Sequence, residues 1–179
     1  MIMNDKAIPL DNGTICLTAP EPSDLDTLYI WENDPALWPF GSVSAPVSRH
    51  QLAEYIDSYD GDIYSARQLR LVIRDKASRT AVGTLDLTHF NPRDRHARIG
   101  IFIAPGHRRL GYAKAAIGLA AEYAGKELGI HMLMALVAAD NAPSRALFSA
   151  AGFDTCGRVR SCLRVNHSFN DIIIYQKIL

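Results

Sequence analysis

Cysteine is scarce in this chain: 179 residues contain three, Cys16, Cys156 and Cys162. They are odd in number and never spaced Cys-x-x-Cys, so they indicate neither a disulfide framework nor a zinc site. Each reads as a small packed side chain, and a reducing cytoplasm is the expected compartment. Net charge is also missing, because 19 Lys and Arg balance 19 Asp and Glu. Global electrostatics therefore predicts no nucleic-acid and no membrane partner. No apolar run reaches the length of a membrane span. The first residues, Met1-Ile2-Met3-Asn4-Asp5-Lys6, lack the charged and apolar regions of a signal peptide.

Several chemistries are absent as motifs. Six histidines are scattered, with no His-Glu-x-x-His pair to ligate a metal from one helix face, so no metal site is expected. There is no Gly-x-Ser-x-Gly nucleophile turn. Internal repeats, low-complexity runs and linkers are missing too, and nearly half of the residues are apolar. One domain spanning residues 1–179, with a real core, is the expected organisation.

What is present centres on Arg108-Arg109-Leu110-Gly111-Tyr112-Ala113. An apolar strand over residues 97–104 leads into it and is stopped by Pro105 and Gly106. An alanine-rich helix over residues 111–126 follows, with Ala113, Ala116, Ile117, Ala120 and Ala124 at helical spacing. A strand, a short Gly-containing turn and a fresh helix N-terminus form an anion site, because the first N–H groups have no intrahelical partner and the dipole adds positive charge. Gly111 and the small Ala113 admit a phosphate close to the backbone, while Arg108, Arg109 and Lys114 supply full charges. No Gly-Lys-Ser/Thr follows, as a P-loop requires, and the three glycines of a dinucleotide fingerprint are missing. The remaining rival is an ordinary strand-to-helix connection with solvated arginines. Downstream, residues 131–138 suit a buried strand. A short helix then follows Asn141, a plausible N-cap, with Pro143 in its first turn and Gly152-Phe153 at its end.

The Arg-x-x-Gly-x-Ala turn and the Asn-to-Gly-Phe helix resemble the GNAT superfamily of acyl-CoA N-acyltransferases. The resemblance implies acetyl-CoA as co-substrate. Its pyrophosphate would lie on Arg108, Arg109, Leu110, Gly111, Tyr112, Ala113 and Lys114, and Asn141 and Ser144 would lie beside the pantetheine arm. In such a fold the strand before the turn and the strand after its helix splay apart. The pantetheine enters that gap, where the backbone of Ile101, Phe102 and Ile103 offers hydrogen bonds, and an amine attacks the thioester directly from the opposite side. Asn141 as a simple helix cap is compatible with the same position.

Patterning along the rest of the chain gives a strand at 15–18 and a helix from Ser23 or Asp24 to about Asn33. A helix capped by Ser48 follows, then strands near 68–74 and 82–90. A final hairpin of 153–165 and 169–178 turns around Asn166-His167. The order is β-α-α-β-β-β-α-β-α-β-β. This is an α/β layered domain with a mixed, mostly antiparallel sheet flanked by helices and splayed central strands, as in the GNAT fold.

The chain departs from the superfamily's common pattern twice. Arg98 stands where many members have a glutamate near the start of the fourth strand. Phe148 stands where many have a tyrosine that protonates the leaving thiolate, so it is expected to pack against the CoA arm instead. Amine attack still needs a group to take a proton and a donor for the oxyanion. Asp86, in Thr84-Leu85-Asp86-Leu87-Thr88, is the first candidate base: alternation separates it from Leu85 and Leu87, and Asp is depleted in strands. A structural ion pair with a nearby arginine such as Arg98 is the competing reading. His89 is the second candidate. Tyr112 and Tyr175 are the remaining hydroxyls.

Charge is segregated despite the zero balance. Residues 24–62 hold eight acids against Arg49 alone, while residues 93–114 hold six cations against Asp94 alone. The acidic segment would draw a cationic amine, and Glu32, Glu54 and Asp86 are the candidate acceptor-binding residues. The segments Trp31-Glu32-Asn33-Asp34 and Phe169-Asn170-Asp171-Ile172-Ile173-Ile174-Tyr175 resemble the branch of spermidine/spermine and ribosomal-protein N-terminal acetyltransferases. The expected reaction is acetyl transfer to a small polycationic amine. Alternatives are a peptide N-terminus or antibiotic amine as acceptor, and a non-catalytic acyl-CoA-binding module. A homodimer fits all three.

Overall fold

The computed structural model describes residues 10–35, 45–165 and 167–179; the leader-region reading and Asn166 of the expected hairpin turn lie outside them. In chain order the elements are β1 (Ile15–Thr18), α1 (Leu25–Glu32), α2 (Arg49–Asp57), α3 (Ile63–Ala66), β2 (Leu69–Asp75), β3 (Ala81–Asn91), β4 (His96–Ile103), α4 (Tyr112–Lys126), β5 (Met132–Ala138), α5 (Ala142–Ala150), β6 (Asp154–Val165) and β7 (Ser168–Ile178). Short 3₁₀ turns at Pro22–Asp24 and Pro105–His107 precede α1 and α4. The expected order is borne out with one addition, the four-residue α3, which is too short to show a helical period.

Seven strands form one sheet in the order β1-β2-β3-β4-β5-β7-β6. Every pairing is antiparallel except β4 with β5, which is the mixed, mostly antiparallel sheet expected. Alternation decides the two faces. Leu69, Leu71 and Ile73 of β2, Leu85 and Leu87 of β3, Ala97 and Ile99 of β4, and Leu133 and Ala135 of β5 point into the main core. There they meet Ala116, Ile117, Ala120 and Ala124 of α4 and Phe148 of α5. The small alanine side chains let α4 lie close to the sheet. The opposite face carries Arg70, Asp86 and Phe102, over which α1 and α2 pack around Leu28, Leu52 and Ile56. Ser48 caps α2 as expected, its hydroxyl accepting from the Gln51 N–H at 3.1 Å, while Gln51 reaches back to the Ser48 N–H. No helix among the described residues is long and apolar enough to cross a membrane.

Two irregularities position the site. The β4–β5 ladder has three rungs, His96↔Met132, Ala97↔Leu133 and Arg98↔Met134. Both strands run on past it, to Ile103 and Ala138, without pairing each other. The expected splay is therefore present and begins after Arg98. The second is a bulge in β3 between Thr88 and Asn91, where His89 takes φ = 52°.

Candidate active site

One half of the site is made of backbone. After Ile103, the chain turns through Pro105–His107, and the Arg108 Nε donates to the Ile103 carbonyl at 3.0 Å, closing the loop onto the strand end. Arg109 and Gly111 take left-handed φ values of 66° and 84°. A left-handed arginine is a local strain of about 1–3 kcal/mol, and successive N–H groups in such a turn form a concavity that suits anions. Gly111 is the N-cap of α4, and no side chain caps that helix, so its first N–H groups keep no side-chain acceptor. Arg108, Arg109 and Lys114 are exposed, and among the described residues none of them sits in an ion pair. Leu110 is 59% exposed at the tip. The Tyr112 phenol donates to Asp75 at 2.8 Å, tying α4 to the β2–β3 turn. That hydrogen bond raises the Tyr112 pKa, and Asp75 is lowered by the Ser78 N–H first and by Tyr112 next.

Ile101, Phe102 and Ile103 lie on the splayed stretch of β4, beyond its last rung with β5. Asn141 caps α5, its Oδ1 accepting from the Ser144 N–H at 3.1 Å, so both stand where β5 ends beside the gap. Phe148 is 3% exposed and packs edge-on against Phe153 (5.2 Å between centroids) and nearly parallel to Tyr175 (6.3 Å). Its contacts are those of a core ring.

The other half is made of side chains from three elements on the opposite face of the sheet. Arg70 of β2 lies between two carboxylates. Its Nε and Nη2 donate to the two oxygens of Asp86 at 2.7 and 3.2 Å, and its Nη1 donates to Glu32 at 2.5 Å. These side chains keep 21%, 27% and 17% of their surface, and together they carry one formal negative charge. Burial works against the guanidinium charge, but Asp86 and then Glu32 outweigh it and hold the Arg70 pKa above its ordinary value. Aromatic residues accompany the cluster. Trp31 meets Phe102 edge-on at 5.3 Å, and Arg70 lies 6.0 Å from the Tyr55 ring centre. The Tyr59 hydroxyl donates to the Arg70 carbonyl at 2.7 Å and accepts from its N–H at 3.0 Å.

Three of the residues singled out from the sequence take the following positions. The partner of Asp86 is Arg70 rather than Arg98. In the ladder Asp86 faces Arg70 and Gly100, whereas Arg98 lies opposite Thr88 and Met134, one same-face position earlier in β4. Glu54 is not brought to the cluster: it is 66% exposed on α2 and faces His50 at 3.5 Å. His89 stands exposed at the bulge, with its Nδ1 3.1 Å from Thr88 Oγ1. The other acids of the 24–62 segment also disperse. Asp24 is buried against Arg74 and Asp26 meets Arg49, while Asp60 and Asp62 accept backbone N–H groups in turns. Arg70 was the residue missed. Its signal was the same alternation that exposed Asp86, one strand earlier.

A splayed parallel strand pair, a cationic helix N-terminus after the first of them and an acidic cluster across the sheet are the arrangement expected of an acetyltransferase. The chain belongs to the family described as the acetyltransferase (GNAT) domain, whose model matches residues 14–154. It is similar to the spermidine N(1)-acetyltransferase of Vibrio cholerae, with 26% identity over 161 residues that cover 90% of this chain and 91% of that protein. It is also similar to the uncharacterized N-acetyltransferase YoaA of Bacillus subtilis, at 27% identity over 72% of each chain. Among solved structures, the V. cholerae spermidine N-acetyltransferase in complex with CoA and spermine superposes with a TM-score of 0.81 at 25% identity, covering 93% of this chain and 96% of that one.

Proposed function

We propose that this protein transfers an acetyl group from acetyl-CoA to a primary amine of a small polycation such as spermidine. The observation that carries the reading is the placement of the two half-sites. The cationic turn opens on one side of the β4–β5 gap, and the Glu32–Arg70–Asp86 cluster lies on the α1/α2 face beside it. The likeness to an enzyme solved with CoA and spermine supports it. Acetyl-CoA lies with its pyrophosphate on residues 108–114 and its pantetheine along residues 101–103, past Asn141 and Ser144. The acceptor's ammonium is drawn by the surplus negative charge of the cluster and slides along Trp31, Tyr55 and Phe102, where aromatic faces favour cations.

The chemistry needs little more than alignment. The ammonium first gives one proton to water, the freed amine lone pair forms the new C–N bond, and the C–S bond breaks with its electron pair going to sulfur. The surplus proton on nitrogen passes to Asp86 or to water. Fixing the two reactants supplies much of the rate. Because Arg70 clasps Asp86 through both oxygens, Asp86 acts first as a fixed negative charge and only then as a base. Phe148 itself offers no proton to the leaving thiolate. Purified protein incubated with acetyl-CoA and spermidine, spermine, an N-terminal peptide or an aminoglycoside, with free thiol measured, tests the reading. Thiol release that depends on the polyamines is expected. Faster release with the peptide or the aminoglycoside would overturn the acceptor class, and CoA binding without release on any amine would overturn the enzymatic reading.

A further inference from the structure

We infer that Gly100 is the floor of the acceptor passage and sets how bulky an amine can reach the thioester. Gly100 sits in mid-β4 and is exposed. It occupies one row across three strands, Arg70 opposite Asp86 and Asp86 opposite Gly100. It is also the first position on that face beyond Arg98↔Met134, the last rung before β4 and β5 part. A missing side chain therefore coincides with the start of the gap and with the carboxylate across from it.

Neither packing nor backbone conformation requires glycine here. A Cβ added at Gly100 meets no heavy atom within 4 Å among the described residues, and its φ is not left-handed. Gly83, on the neighbouring strand, shows what a packing glycine looks like: a Cβ there would come within 2.1 Å of the Phe102 carbonyl oxygen. A glycine inside a strand weakens it and marks either a bulge or a place where another molecule comes close to the backbone. The rungs on both sides of Gly100 are regular, so no bulge explains it. The methylene next to the attacking nitrogen lies over this bare backbone, which puts the nitrogen beside Asp86 and above the gap. A side chain at position 100 would fill that path from below while leaving the CoA turn untouched.

The inference rests on the proposed amine acetylation, and the test separates the two. Gly100→Ala and Gly100→Val are compared with wild type for kcat/KM with spermidine, for acetyl-CoA affinity by calorimetry and for melting temperature. The expected result is a graded loss of kcat/KM, severalfold for Ala and about tenfold to a hundredfold for Val, since misplacing a reacting atom by an ångström has effects of that size. Acetyl-CoA affinity should stay within about twofold. The melting temperature should hold or rise, because a β-branched residue suits a strand better than glycine. An active wild type with an equally active Gly100→Val variant overturns this inference alone. So does a loss of activity in both variants that follows a lowered melting temperature or a lost CoA affinity. A wild type inactive on every amine overturns the acceptor reading and this inference together.

Discussion

The two half-sites are built from different materials. The turn proposed to hold CoA is local: residues 103–115 supply its carbonyls, N–H groups and cations, and its shape comes from two left-handed residues and a helix start. The proposed acceptor cluster is non-local: Glu32, Arg70 and Asp86 come from α1, β2 and β3, and no two of them are closer than 16 residues in sequence. The turn is held by backbone geometry and carries positive charge, whereas the cluster is held by ion pairs and carries one negative charge. A site of the first kind tolerates side-chain change but not loss of its glycine. A site of the second kind loses its function and its stability together when one charge is removed.

The largest effect separates those two roles within Asp86. Asp86→Asn keeps the shape and removes the charge, and it should lower kcat/KM for amines by about ten- to a thousandfold, the range for losing an essential charge or base. Acetyl-CoA affinity should stay near wild type. A variant with a lower melting temperature but unchanged activity per folded molecule would show that the carboxylate serves only Arg70.

Arg70→Met breaks the cluster at its centre and leaves two carboxylates facing each other. Uncompensated charges in a fully buried pair cost about 3–5 kcal/mol; with a fifth of these side chains still exposed, about 2–3 kcal/mol is expected here. For a chain of this size that corresponds to a melting temperature lower by about 5–10 °C. Scanning calorimetry at neutral pH measures it, and a shift below about 2 °C would mean that solvent or neighbouring groups compensate the carboxylates.

The same contrast explains what could be read from the sequence. The turn was legible because its determinants are contiguous: a stopped strand, Gly111, three cations and an alanine-rich helix follow one another. The splay was legible only through resemblance, since nothing in residues 99–103 themselves announces that they lack a partner. Asp86 stood out because a carboxylate is unusual in mid-strand. Its partner Arg70 could not be chosen over Arg98 from sequence, because pairing register depends on the length and twist of the β2–β3 turn, and Arg98 is nearer to Asp86 along the chain than Arg70 is. Glu54 was misplaced for a related reason. It lies in an acidic segment, yet α2 buries Leu52 and Ile56, and that rotation turns Glu54 to solvent. Net charge of a segment does not say which acids face inward.

On the local half, Gly111→Asp puts a carboxylate into a left-handed position beside the proposed pyrophosphate. Asp tolerates that conformation better than most residues, and a side chain there meets nothing within 4 Å among the described residues. The fold should survive while the affinity for CoA falls about tenfold or more, through repulsion at a site built on helix-dipole and cationic charge. Gly111→Ala gives the contribution of strain alone. Calorimetry with CoA measures both, and unchanged binding in a folded Asp variant would place the nucleotide elsewhere.

The smallest effect concerns the edge of the acceptor half. β1 pairs with β2 only from Val72 to Asp75, so the backbone of Arg70 has no strand on that side. The Tyr59 hydroxyl fills the place, donating to its carbonyl and accepting from its N–H. Burial is the main cause that pushes this phenol from 10.0 up to about 12. The folded state thus favours neutral Tyr59. Its stabilisation is complete below about pH 10, the value of an unfolded tyrosine, and is lost as pH rises through about 12. Tyr59→Phe should cost about 1–2 kcal/mol at neutral pH through two lost hydrogen bonds. It should also flatten the loss of stability between pH 10 and 12. Denaturant titrations of both proteins across that window decide it. Parallel decline of the two would mean that other groups set the alkaline limit. An unchanged midpoint at neutral pH would show that water replaces the hydroxyl at the strand edge, leaving Arg70 positioned by its carboxylates alone.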